Sequence, residues 1–82
     1  MPTGFKCPCC QYLTLSEEPP GTFEICPVCR WEDDNVQYND PDSEGGANSV
    51  SLKKARENYL TFGAKTELAK SRARKPLPDE LP

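Results

Sequence analysis

Cys7-Pro8-Cys9-Cys10-Gln11-Tyr12-Leu13-Thr14-Leu15, answered after a proline- and glycine-rich turn by Thr22-Phe23-Glu24-Ile25-Cys26-Pro27-Val28-Cys29, is the stretch that decides how this chain folds. It holds two Cys-Pro-x-Cys pairs, Cys7 with Cys10 and Cys26 with Cys29, separated by fifteen residues. Two residues between cysteines let a tight turn present both sulfurs to one ion, and fifteen residues are enough for a short hairpin that returns the second pair to it. Proline after the first cysteine sets φ near −65° and suits such a turn. The pattern predicts that Cys7, Cys10, Cys26 and Cys29 hold one Zn²⁺ ion in a closed tetrahedral site of structural type. Iron in the same cage, giving a rubredoxin-like electron carrier, is the alternative occupant.

Cys9, the fifth thiol, is expected to point away from the metal and pack as a small hydrophobe. Gln11 and Arg30 follow the second cysteine of each pair, where a left-handed backbone would strain any residue but glycine. The chain has no histidine, which excludes an imidazole-bound catalytic zinc and a histidine-based nucleophile pair. A non-enzymatic protein is therefore expected, with no small-molecule substrate inferred. The acidic runs Glu32-Asp33-Asp34 and Asp40-Pro41-Asp42-Ser43-Glu44 lack a calcium-loop pattern and read as solvated loops.

Composition explains why a metal is needed. Of 82 residues, 35% are hydrophobic, while nine are proline and five glycine. A core of that size supplies about 3–5 kcal/mol, so chains of this kind carry a staple. Five cysteines would leave one over in any disulfide scheme. Met1 to Lys6 has no apolar run resembling a secretory signal, and no segment approaches the length of a membrane span. A cytoplasmic location, with reduced thiols, is the expectation.

Charge is segregated. Residues 1–48 carry nine acids against two bases, net −7, whereas residues 49–82 carry eight bases against four acids, net +4. An anionic metal-binding half does not suit a phosphate backbone. A nucleic-acid-binding zinc ribbon rests only on the basic run Lys70-x-Arg72-x-Arg74-Lys75 and ranks as a further alternative.

The fold class expected is a small metal-stapled α+β structure, a zinc-ribbon or rubredoxin-like double knuckle on a β-hairpin with one C-terminal helix. The hairpin would pair 12–15 with 22–25 across Pro19-Pro20-Gly21, and Val36-Gln37-Tyr38 would add a brief third strand. Ser51 is the favoured N-cap, with Ser49 or Asn48 as alternatives; Leu52, Ala55, Tyr59 and Phe62 form one helical face, and Gly63 is a C-cap. Trp31, Tyr12, Phe23, Ile25, Leu52, Tyr59 and Phe62 are the expected core. The organisation is a zinc-binding domain over 1–64 and a tail over 65–82. The domain comprises a knuckle–hairpin–knuckle at 5–38, an acidic loop at 39–48 and a helix at 51–62. The tail is basic, proline-rich and weakly structured, with Leu68 as its main anchor.

On these residues the chain resembles the bacterial cysteine-rich CPCC family. The resemblance runs through Cys7-Pro8-Cys9-Cys10 and Tyr12-Leu13-Thr14-Leu15, then Pro20-Gly21-Thr22-Phe23-Glu24-Ile25-Cys26-Pro27-Val28-Cys29 and Trp31-Glu32-Asp33-Asp34. It continues in Asp40-Pro41-Asp42, Glu44-Gly45-Gly46-Ala47-Asn48, Ser51-Leu52, Asn58-Tyr59 and Phe62-Gly63-Ala64. Arg30 departs from it, since relatives often carry glycine or an aromatic residue there. The resemblance implies a small metal-binding module and supplies no activity. The function expected is a structural zinc module that presents a surface to a protein partner.

Overall fold

The structure, a computed structural model, describes residues 4–82. Strand β1, Phe5–Lys6, pairs antiparallel with β2, Leu13–Leu15, in a register that sets Phe5 opposite Leu15 and Lys6 opposite Leu13. Between them lies the first cysteine turn. The second turn is bracketed in the same way by a bridge between Ile25 and Glu32. Helix α1 covers Asn35–Asn39 and α2 Leu52–Phe62, and short 3₁₀ turns follow at Leu68–Ser71 and Pro78–Glu80.

The pairing differs from the hairpin expected between 12–15 and 22–25. Each segment pairs across its own cysteine turn instead. Phe23 N donates to Asp33 O and Asp33 N to Glu24 O, both at 2.9 Å. Both connections span six residues, but each knuckle is closed by its own backbone hydrogen bonds, whereas Pro19 and Pro20 have no N–H to give a ladder, so each knuckle recruits its own flanks. Phe23 has a φ of 57°, which interrupts any regular strand at that point. Phe23 and Ile25 accordingly stand 54% and 48% exposed rather than in the core.

Val36-Gln37-Tyr38 is helical, not a third strand. Asp34 is the reason: its Oδ1 accepts from Val36 N at 2.7 Å and Gln37 N at 3.1 Å, an N-cap that starts α1. Helix α2 matches its sequence signals. Ser51 Oγ accepts from Lys54 N at 3.0 Å, and Gly63, at φ 77°, closes the helix through its N–H to Tyr59 O. Leu52 and Ala55 are buried, Phe62 is half-buried, and Tyr59 packs edge-on against Tyr12 with ring centroids 6.3 Å apart.

The core is built around sulfur. All five cysteines, Leu15, Val28, Trp31, Leu52 and Ala55 form one buried cluster, with Tyr12, Val50 and Tyr59 at its edge. Leu68 does not anchor residues 65–82, being 93% exposed. That segment is tied down by its backbone: Lys65 N donates to Cys29 O at 2.8 Å and Arg74 N to Val28 O at 3.3 Å. Arg74 then forms a two-point ion pair with Glu80, at 2.8 and 2.9 Å. No helix among the described residues is long and apolar enough to cross a membrane.

Candidate metal centre

The two cysteine turns repeat each other bond for bond. In the first, Gln11 N donates to Cys7 O and Cys7 N to Tyr12 O, both at 2.9 Å. In the second, Arg30 N donates to Cys26 O at 2.8 Å and Cys26 N to Trp31 O at 2.9 Å. The residue after the second cysteine is left-handed in both, φ 71° at Gln11 and 72° at Arg30. The strain foreseen at these two positions is therefore present.

The strain makes a paired prediction. Arg30→Gly raises stability by about 0.5–1 kcal/mol, the left-handed penalty less glycine's extra unfolded-state entropy. Gln11→Gly gains less, because Gln11 Nε2 donates to Pro8 O at 2.9 Å and that bond is lost. Thermal denaturation of the two variants against the parent gives the ranking; an equal gain from both contradicts the assignment.

Packing one knuckle against the other brings four sulfurs together. Those of Cys7, Cys10, Cys26 and Cys29 lie within 4.8 Å of one another, and all four side chains are 7% exposed or less. Cys7 Sγ is 3.6 Å from Cys29 Sγ, and Cys10 Sγ is 3.7 Å from Cys26 Sγ. These are not disulfides, which need sulfurs about 2.05 Å apart. They do match a metal: a Zn–S bond of about 2.3 Å places two corners of a tetrahedron about 3.8 Å apart. Cys9 is buried but stands outside the group of four.

The donor chemistry fits a cation as well as the spacing does. Four thiols this close resist joint ionisation. Hydrogen bonding from Cys10, then from Cys29 and Cys7, pulls the Cys26 thiol down. Cys7 is pushed up through its contact with Cys10 and then Cys26, and Cys10 through its contact with Cys26 and then Cys29. A bound divalent ion is the charge that lets such a set exist as thiolates. The four cysteines can thus hold a metal ion.

Several residues that support the centre carried no signal of that role in the sequence. Thr14 Oγ1 lies 3.0 Å from Cys26 Sγ and donates to it when the sulfur is a thiolate. Arg56, reaching from α2, donates through Nε to Pro8 O at 2.8 Å, which sets a guanidinium beside the first knuckle. With Lys65 N on Cys29 O, both knuckles are held by residues of the basic half.

The acidic stretch after Trp31 is only partly the solvated loop expected. Asp33 is fully buried, with Oδ2 accepting from Thr22 N at 3.0 Å and Thr22 Oγ1 at 2.8 Å. Asp34 Oδ2 also accepts from Ala47 N at 3.0 Å, and the backbone N–H groups of Ala47, Gln37 and Val36 hold its carboxyl below the usual carboxylate range. Gln37 and Asn48, both fully buried, are bonded to each other through Gln37 Oε1, Asn48 N and Asn48 Nδ2. Asn48 further ties Glu32 to Lys65. The burial of these two amides was not legible in the sequence, because polar residues in a turn-rich stretch read as exposed.

Comparison with known proteins adds one finding. The sequence model of a family described as cysteine-rich CPCC matches residues 5–80, nearly the whole chain. No curated protein matches it.

Proposed function

The chain belongs to the cysteine-rich CPCC family, and from that premise and the convergence of its four thiols we propose that it is a non-enzymatic, cytoplasmic structural zinc module that presents a surface to a protein partner. Cys7, Cys10, Cys26 and Cys29 are the proposed ligands, on a zinc-ribbon-like double knuckle. The observation that carries this reading is the closure of the set: four sulfurs, all buried, at separations suited to one tetrahedral ion. Four thiolates leave no open position for water or substrate, so the ion's contribution is to the fold. A structural zinc supplies about 10–16 kcal/mol of apparent binding free energy at neutral pH, the largest stabilising contribution open to so small a core. Recognition then falls to the protein surface.

Metal analysis of the protein purified without added metal, with a visible spectrum, tests the occupant. One zinc per chain and a colourless solution are expected. One iron per chain, red when oxidised, would replace this reading with the electron-carrier one. Affinity capture with the metal-loaded protein addresses the partner, and the Cys10→Ser chain serves as the control for an intact surface.

A further inference from the structure

Beside the second knuckle the surface opens into a cleft of about 470 Å³, within the size range of small-molecule sites. Three cations line it, Arg30, Lys65 and Arg72, together with the hydroxyl residues Ser49, Thr66 and Ser71, and no carboxylate does. Lys65 and Arg72 come from the basic half, and Arg30 joins them from the otherwise acidic one.

The arginines elsewhere show what the molecule does with a guanidinium it uses for structure. Arg74 is paired with Glu80, and Arg56 is bonded to Pro8 O. The guanidinium groups of Arg30 and Arg72 make no hydrogen bond or ion pair among the described residues, and both line the same cleft. The internal repeat sharpens the contrast. Gln11, at the equivalent place in the first knuckle, turns its amide back onto Pro8 O. Arg30 accepts the same left-handed backbone without that return, so its strain is not offset by a local bond.

The third cation is fixed in place: Lys65 Nζ donates to Asn48 Oδ1 at 3.0 Å, and Asn48 is itself fully buried and bonded on every side. Thr66 Oγ1 accepts from Ala69 N, which leaves its hydroxyl proton free to donate outward. Exposed Ile25 and Leu68 supply an apolar wall.

We propose that this cleft binds a small phosphomonoester, its phosphoryl group among Arg30, Lys65 and Arg72 and its apolar or aromatic body against Ile25 and Leu68. A phosphoryl group brings up to two charges and three acceptor oxygens, enough to engage three cations and the hydroxyls between them. A lone carboxylate brings one charge and two oxygens. A nucleic-acid strand would extend beyond the cleft and along a molecule whose first 48 residues carry net −7.

Titration of the metal-loaded, isotope-labelled protein with phenyl phosphate, followed by amide NMR, tests this. Saturable shifts confined to the cleft are expected, at Arg30, Lys65, Thr66 and Arg72 around the phosphoryl group and at Ile25 and Leu68 beside the ring. Arg30→Gly and Arg72→Glu should each weaken binding at least about tenfold, as loss of a charge-assisted contact does, with the remaining spectrum unchanged. Absence of saturation, unaltered affinity in both variants, or tighter binding of oligothymidylate or of a phosphate-free acidic peptide would overturn the proposal.

Discussion

Cys10→Ser yields a chain that neither folds nor retains metal, whereas Cys9→Ser yields a folded protein with its full metal content. The two cysteines are neighbours in sequence and both are buried, so burial alone would predict similar effects. Geometry separates them. Cys10 Sγ belongs to the set of four and lies 3.7 Å from Cys26 Sγ; Cys9 stands outside that set. Serine at position 10 removes one of the four proposed ligands and lets water reach the ion. A loss of even half of the roughly 10–16 kcal/mol supplied by a structural zinc exceeds the 3–5 kcal/mol that a core of this size provides. Serine at position 9 exchanges a buried thiol for a hydroxyl, a cost of about 1–3 kcal/mol that a metal-loaded chain withstands. Metal content after gel filtration and amide dispersion in the NMR spectrum give the answer together. The reverse outcome would move Cys9 into the ligand set and Cys10 out of it.

Exhaustive chelation under reducing conditions asks the same question without mutation, and loss of amide dispersion is the expected outcome. A chain that stays folded after chelation would show that the thiol cluster is held by the surrounding fold. The sequence argues otherwise, since 35% hydrophobic content spread over 82 residues leaves little else to collapse.

What was legible in the sequence is what depends on local chemistry. The spacing of Cys7, Cys10, Cys26 and Cys29 named the residues that converge, and Ser51 and Gly63 marked the ends of α2, because ligand spacing and helix caps are written in residue identity. The left-handed positions Gln11 and Arg30 were also visible, as the places where a knuckle wants glycine and has none. Strand pairing was not legible. Runs of four β-prone residues at 12–15 and 22–25 suggested partners, but the choice between a proline turn and a knuckle of equal length is made by the backbone hydrogen bonds that close the knuckle. Helix α1 was missed because Val36 and Tyr38 alternate like a strand, while the deciding residue, Asp34, lay inside an acidic run that looked solvated. The buried amides of Gln37 and Asn48 were missed for a related reason. Their burial follows from mutual hydrogen bonding across eleven residues, which composition does not display.

That amide pair sets the second large expectation. Asn48→Ala destabilises the metal-loaded protein by about 2–4 kcal/mol, more than most changes of a polar residue to alanine. The Asn48 side chain accepts from Glu32 N at 2.8 Å and Lys65 Nζ at 3.0 Å, and donates to Glu32 O at 2.7 Å and Gln37 Oε1 at 2.9 Å. It therefore joins the strand leaving the second knuckle, helix α1 and the segment after α2. Helix α1 and the segment after α2 have little apolar contact to fall back on, since Val36 and Leu68 both stand exposed. Alanine removes four hydrogen bonds together and leaves Gln37 Oε1 buried with only Asn48 N as a donor. Leaving such groups short of partners costs about 1–3 kcal/mol each, and water entering the vacated space recovers only part of it. Asn58→Ala is the matched control. Asn58 Nδ2 also bonds to Lys65, through its backbone O at 2.8 Å, but from a part-buried position with one bond to lose, so a cost of about 1 kcal/mol or less is expected. Urea denaturation midpoints at unchanged slope measure both, with metal content verified in each sample. Should Asn48→Ala match Asn58→Ala, the polar network would be filling space around a fold held elsewhere, and Lys65 would lose the buried support that positions it at the cleft.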